Sequence, residues 1–425
     1  MIFAFLFLVC LMLGVPIFAT LGVPALIELL NSPVPLESLA HSLFDGVDKF
    51  PLLAIPNFVL AGAIMARAGI TRDIIEVMRA VVGQAYGGLA IVTILSCMFF
   101  AAISGSGPGT VAAIGTLLIP AMKDDGYPKD FAAAVASSGG TLGILLPPSN
   151  PMIVYGVLAS VSIGDLFLAG LLPGILMGTL LVATNWFLSK RNSYRGAQRQ
   201  FDGRSFATAL WQAKFSLATP FLVLGGIYGG IFTPTEAAAV AAVTALLVGG
   251  LIYREFTFRS LGSSFVQAAE TTGTIILILL FSFMISRILA FERVPQDLTE
   301  AIQSVVTSPI AALLVVNLVL IVAGALMDDV SVTVVIAPLF LPLMIANQVD
   351  PVHFAAIVAC SVVIGANSPP VAPTLFLSCK ITRAPIMQAV MPALGLMGFV
   401  AFPVMLITTF WPDLSLAIPR ALDLL

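Results

Sequence analysis

The sequence predicts an all-α polytopic membrane protein made of two inverted repeats, each with a re-entrant helical hairpin followed by a broken transmembrane helix. Three observations carry this. Of 425 residues 59% are apolar and only 10% charged, against roughly 25% charged in an average soluble domain, so a soluble globule is excluded. Two apolar stretches are too long for one crossing and turn back at polar or glycine-rich tips. The features of the first stretch then recur in the second at a fixed offset of 222 residues.

Spanning about 30 Å of hydrocarbon takes roughly 20 helical residues. Apolar runs that fit one crossing, with at most one charged residue each, are 1–30, 50–65, 163–189, 211–230, 237–252, 271–286 and 388–411. The first lacks a basic n-region and is longer than a secretory h-region, so it reads as a membrane helix and not a cleaved signal. Residues 80–122 carry no charge over 43 residues, which as one helix would be about 65 Å long. The chain must turn back, and Ser104-Gly105-Ser106-Gly107-Pro108-Gly109 marks the turn. Residues 301–349 behave alike, two apolar arms meeting at Met327-Asp328-Asp329. Each following segment is interrupted by prolines, 131–158 at Pro147-Pro148-Ser149-Asn150-Pro151 and 352–379 at Pro369-Pro370-Val371-Ala372-Pro373. Proline removes a helical hydrogen bond and drives its predecessor out of the α region, which predicts half-helices joined by unwound links.

The repeat pairs Pro120 with Pro342, Met122 with Met344, Ala133 with Ala355, Gly143 with Gly365, Pro147 with Pro369, Pro148 with Pro370 and Pro151 with Pro373, and the tips Ser106 and Asp328 share the register. Before each hairpin an amphipathic charged stretch, 67–83 and 287–305, reads as an interfacial arm. The chain divides into scaffold and first arm (1–83), first hairpin and broken helix (84–160), scaffold and second arm (161–309), second hairpin and broken helix (310–387) and a C-terminal helix (388–425). Lys190, Arg191, Arg195, Arg199 and Arg204 with one acid, Asp202, place that loop in the cytoplasm. Counting crossings, the first hairpin enters from the cytoplasm and the second from the opposite side, the arrangement that gives a secondary transporter two gates around a midplane site.

Non-helical backbone survives at membrane depth only where it is buried or lines a cavity. Unwound carbonyls suit a hard cation such as sodium, and half-helix N-termini suit an anion. This predicts cation-coupled uptake of an organic anion with two cation sites. One comprises Ser104, Ser106, Gly143, Leu146 and Pro147; the other comprises Gly324, Asp328, Gly365, Ser368 and Pro369, mostly through backbone carbonyls. The polar groups between them, Ser149, Asn150, Ser331, Thr333, Asn367 and Thr374, are candidate substrate contacts, although local hydrogen bonding and capping compete as explanations. Intramembrane carboxylates are costly and normally functional, so Asp328 and Asp329 stand out, with N-capping of the return arm as the alternative. Thr233, Pro234 and Glu236 form a structural capping box.

Other chemistries fit poorly. A net charge of −3 without a basic face argues against nucleic acid. Cys10, Cys97, Cys360 and Cys379 match neither a metal pattern nor a disulfide framework, and His41 and His353 lack metal-ligand partners at usable spacing. An aspartyl protease is disfavoured because adjacent Asp328 and Asp329 would point about 100° apart on a helix and could not share a proton. Opposed hairpins closing on one site suit alternating access more than an open channel.

The segments FFAAISGSGPGTVAAIGTLLIPAM (99–122), SSGGTLGILLPPSNPMIVYGV (137–157), GIYGGIFTPTEAAAVAAV (226–243) and IGANSPPVAPTLFLSCKI (364–381) closely resemble the large membrane subunit of tripartite ATP-independent periplasmic (TRAP) transporters. The resemblance covers essentially the whole chain. It implies a sodium-coupled elevator transporter, with two or more coupling ions, in a bacterial inner membrane. It also implies a small four-helix membrane subunit, expected here as a separate chain, and a soluble periplasmic substrate-binding protein. The anion stays open among C4-dicarboxylates, sialic acids, keto acids and sulfonates. A stand-alone sodium/dicarboxylate symporter of related hairpin architecture is the alternative.

Overall fold

The computed structural model describes residues 2–31, 43–82, 85–194, 202–306 and 308–422. His41, Arg195 and Arg199 lie outside the described residues. Among the described residues every regular element is helical, and seven helices are long and apolar enough to cross a membrane.

Several expected crossings appear with nearly the expected ends: Ile163–Arg191, Lys214–Tyr228, Pro234–Leu247 extended by a π turn to Ile252, and Ile386–Phe410. Two expectations need correction. Residues 1–30 are not one crossing but two helices, Ile2–Met12 and Ile17–Asn31, that contact one another. The break falls before Pro16, which has no N–H to continue the ladder. The second arm does not begin at Arg287. The scaffold helix runs through it as Phe258–Phe291, 34 residues, and the amphipathic arm is Val294–Val305. Arg287 sits in the last turns of that helix, where a cation complements the C-terminal end of the dipole. The first arm is Ile70–Val82, bent by 69° from the preceding Phe50–Met65.

Both hairpins form. The first descends as Gly88–Ser104, turns at Gly105-Ser106 and returns as Gly107–Thr110, a π turn Val111–Gly115 and Thr116–Asp124. The second is Pro309–Leu326, a turn at Met327-Asp328 and Asp329–Ala346. The broken helices are Lys129–Gly140 continuing as Leu142–Leu145, then Asn150–Ala159, and Pro351–Gly365, then Pro373–Thr382. Each link carries a cis prolyl bond, Pro147-Pro148 and Pro369-Pro370.

Contacts between distant loops sort the ends of these helices into two faces. On one, the Gly87 N–H donates to the Tyr194 carbonyl at 3.1 Å, Arg72 pairs with Glu255 at 3.1 Å, and the Ser216 hydroxyl donates to Asp73 at 2.8 Å. On the other, the Tyr155 hydroxyl donates to the Pro351 carbonyl at 2.9 Å, and His353 Nδ1 lies 2.7 Å from Ser415 Oγ. The base of the first hairpin therefore lies beside the end of Ile163–Arg191. The base of the second lies beside Tyr155 of the half-helix Asn150–Ala159, the element that precedes that helix. The core sits on the first broken helix, whose most apolar window is 83% buried, whereas that of Phe258–Phe291 is 33% buried and faces outward. Two lysines cap exposed tryptophans on the basic-loop face, Lys190 over Trp186 and Lys214 over Trp211 at 3.8 Å, the interfacial anchoring expected at a headgroup level.

Candidate functional site

Each hairpin tip is held by the capping of its return arm. Ser106 is the N-cap of the first, its hydroxyl accepting from the Gly109 N–H at 3.3 Å. Asp328 is the N-cap of the second, accepting from the N–H groups of Val330 and Ser331 at 3.2 Å and from the Ser331 hydroxyl. A side-chain oxygen at this position satisfies orphan donors of the first turn, so the offset that pairs Ser106 with Asp328 pairs two caps. Ser331 is therefore engaged with Asp328. Thr333 donates to the Asp329 carbonyl at 2.8 Å, the i−4 bond that competes with any other role.

The tips dock on the unwound links backbone to backbone. In the first half, Asn150 N–H donates to the Gly105 carbonyl at 3.0 Å, and a Cβ on Gly143 would stand 2.7 Å from the Ser106 carbonyl oxygen. In the second, Val371 N–H donates to the Ala325 carbonyl at 3.1 Å, and a Cβ on Gly365 would meet Gly324 Cα at 2.5 Å. Gly143 and Gly365 are repeat partners, and both occupy the point of closest approach. Around the first tip, Ser104 and Thr110 hydroxyls lie 2.8 Å apart and Thr110 donates to the Ser106 carbonyl at 2.9 Å. These oxygens cluster at the first tip, and Leu146 and Pro147 of the first link are buried. The second link is more open: Ser368, whose hydroxyl donates to the Ile364 carbonyl at 2.8 Å, is half-buried and Pro369 exposed.

The candidate substrate contacts do not share one place. Ser149 is buried and donates to the Ile144 carbonyl. Asn367 and Thr374 belong to a buried network that joins the halves. Ser137 donates to Asn367, and Thr374 lies 3.2 Å from Ser137, 3.1 Å from Asn367 Oδ1 and 2.7 Å from the Ala366 carbonyl that accepts from it. Asn150 alone of the six lines the cavity described next, and its Oδ1 is buried without a hydrogen-bond partner.

That cavity has a volume of about 800 Å³ and lies between hairpins and scaffold. Its hairpin wall is formed by Ser104, Ser106, Asn150, Asp328 and Asp329. Its scaffold wall includes Arg67, Gln267, Thr271 and Thr274, residues that sequence reasoning did not select. Arg67 is read there as part of an arm. A partial signal was present: Gln267, Thr271 and Thr274 recur at i, i+4 and i+7, the spacing of one helix face, although Glu270 and Thr272 among them blur the stripe.

Two hairpins whose tips meet broken helices beside a cavity are the architecture of a multi-pass membrane permease. Residues 4–414 match the family model of the tripartite ATP-independent periplasmic transporter, DctM component. The chain is 41% identical to the isethionate TRAP transporter permease DctMQ of Oleidesulfovibrio alaskensis, over 96% of this chain and 65% of that longer protein. It is 38% identical to the C4-dicarboxylate TRAP transporter large permease DctM of Pseudomonas aeruginosa, over 94% and 93% of the two chains. The sialic acid TRAP large permease SiaM of Vibrio cholerae is 32% identical over 96% and 95%. Among solved structures, the YdaH transporter of Alcanivorax borkumensis has the same fold, with a TM-score of 0.68 over 97% of this chain and 98% of that one at 13% identity. The chain belongs to the DctM family of TRAP transporters, a multi-pass large permease component of the inner membrane.

Proposed function

We propose that the protein drives sodium-coupled uptake of a small organic acid anion by an elevator movement of residues 84–160 and 310–387 past the remaining scaffold. It would do so with a small four-helix membrane subunit and a periplasmic substrate-binding protein. The observation that carries the reading is the cavity of about 800 Å³, which both hairpin tips line together with the scaffold. A site between a tip-bearing unit and a frame is what alternating access requires.

In this reading sodium ions take the two tip-link junctions. The first is Ser104 and Ser106 with Gly143, Leu146 and Pro147; the second is Gly324 and Asp328 with Gly365, Ser368 and Pro369. Support comes from the oxygen-only chemistry of both junctions and from the same glycine contact in both halves. Cation-binding and capping roles for Asp328 are compatible, since a carboxylate has about four lone-pair positions. The anion would sit against Asn150 and the tip N–H groups. The chemistry of the relatives' cargo, a sulfonate, dicarboxylates and a sialic acid, agrees in being small and anionic.

Liposomes containing the chain with its small subunit, supplied with the binding protein and an inward sodium gradient, are expected to accumulate one of isethionate, succinate or sialic acid. Omitting any one component should abolish uptake. Robust uptake by this chain alone would instead identify a stand-alone symporter.

A further inference from the structure

The walls of the cavity carry opposite charges. Asp328 and Asp329 stand on the second hairpin, and Arg67 stands on the scaffold just past the end of Ala54–Met65. Arg67 is half-buried and lines the cavity. One guanidinium N–H donates to Ser264 Oγ at 3.0 Å, and Ser264 itself donates to the Ser260 carbonyl at 3.2 Å, so the arginine is tied to the Phe258–Phe291 helix. Among the described residues no carboxylate lies within 4.0 Å of it, unlike Arg72, Arg79 and Arg420. Withdrawing a cation from water without a counter-ion is costly, and a guanidinium has five N–H donors, most of which Ser264 leaves unused. Gln267 and Thr271 lie beside it on the same wall and add an amide and a hydroxyl.

We infer that Arg67, steadied by Ser264 and flanked by Gln267, is an anion subsite of the scaffold that receives the carboxylate or sulfonate of the transported acid while the substrate site faces this cavity. The inference rests on the transport reading above. A guanidinium matches a two-oxygen anion bidentately, which a lysine does not reproduce. The subsite has a sidedness. Arg67 and Gln267 lie toward the face where Arg72 meets Glu255, the face of the basic loop and hence the cytoplasm. Because Arg67 belongs to the fixed frame, it can touch the anion only while the hairpins hold their present position. It therefore sets affinity at the cytoplasmic face and leaves the periplasmic face untouched.

The test is exchange in right-side-out proteoliposomes holding the permease, its small subunit and binding protein, with equal sodium on both sides. The probe is whichever of isethionate, succinate or sialic acid the wild-type complex transports. Losing one charge-assisted contact should raise the internal half-saturation of Arg67→Gln about tenfold, with the external value within about twofold. Arg67→Lys should fall between wild type and Arg67→Gln, and Ser264→Ala should shift the internal value alone. Equal shifts at both faces, or none in Arg67→Gln and Arg67→Lys, would overturn the assignment. Failure of the wild-type complex to move any of the three anions would instead overturn the transport reading, and the subsite with it.

Discussion

Adding one methyl group at Gly365 puts the docking of tip on link to a quantitative test. A Cβ there would stand 2.5 Å from Gly324 Cα and 2.8 Å from the Ala325 nitrogen. Relaxed carbon contacts are about 3.5–4.0 Å, so hairpin arm and broken helix must part by about 1 Å. Both obstacles are backbone, and neither can swing aside as a side chain could. Overpacking costs about 1–3 kcal/mol, and rigid obstacles place Gly365→Ala at the upper end, about 3 kcal/mol. That corresponds to roughly a hundredfold loss in the population of docked tip. The displacement falls on the neighbouring bond from Val371 N–H to the Ala325 carbonyl, hence on the proposed second cation junction. The control is Gly273→Ala on the scaffold helix, where a Cβ meets nothing within 4 Å and alanine gains up to about 1 kcal/mol of helix propensity. Purified complexes would be compared by thermal unfolding and by sodium-driven uptake. Gly365→Ala should unfold at lower temperature and need more sodium for half-maximal uptake, while Gly273→Ala matches wild type or exceeds it. Indistinguishable behaviour of the two variants would refute the docking argument.

Asp328→Asn keeps a capping oxygen and removes the charge, so it should raise the sodium needed for half-maximal transport while losing less thermal stability than Asp328→Ala; unchanged sodium dependence in both would remove Asp328 from the junction. Thr374→Val strands the Ala366 carbonyl and removes one of the two hydroxyls that donate to Asn367 Oδ1 in the buried network, which should cost about 1–3 kcal/mol of stability and leave the half-saturation for anion unchanged; a selective rise in that constant would make Thr374 a substrate contact. Asp202 caps the exposed helix Gly203–Gln212. The Ser205 hydroxyl and then the Arg204 and Ser205 N–H groups hold its carboxyl below the ordinary carboxylate range, so the cap is intact above the ordinary value and is lost only as pH falls through the depressed one. Hydrogen exchange of 203–212 should be accelerated by Asp202→Ala at neutral pH, whereas a neutral-pH profile identical to wild type would exclude the cap.

What the sequence made legible is what backbone chemistry dictates. The pairs Pro147-Pro148 and Pro369-Pro370 remove two consecutive helical hydrogen bonds, whereas single prolines such as Pro338 stay inside a helix, so both links could be placed without knowing any neighbour. Ser106 and Asp328 were readable as one structural position because capping needs only a side-chain oxygen before the return arm. Gly143 and Gly365 could be paired by register, although only the structure gives the reason, a backbone oxygen or Cα in the space of a side chain. Contacts between distant segments were not legible. Arg67 and Ser264 are separated by 197 residues, and nothing local distinguishes an arginine lining a cavity from one on an interfacial arm. The same holds for Ser137, which gains its role only where the broken helices cross and Asn367 reaches it.

Charge on the cavity walls supplies a reason for coupling under the proposed function. An organic anion beside an ionised carboxylate of the second tip meets a like charge, and such a pair at 4 Å repels by about 4 kcal/mol at an effective dielectric of 20. Arg67 lines the scaffold wall and under the proposed movement would stay with the frame, so it would not offset that repulsion wherever the hairpin goes. A sodium ion at the Asp328 junction would, because it places a compensating charge on the same hairpin that carries the carboxylates. Anion and cation would then each raise the affinity of the other, and linkage requires the factor to be the same in both directions. Under the proposed function the two charge systems would divide the work by position: the cation would travel with the hairpin and make the tip hospitable at both faces, whereas the arginine would stay on the frame and act at one.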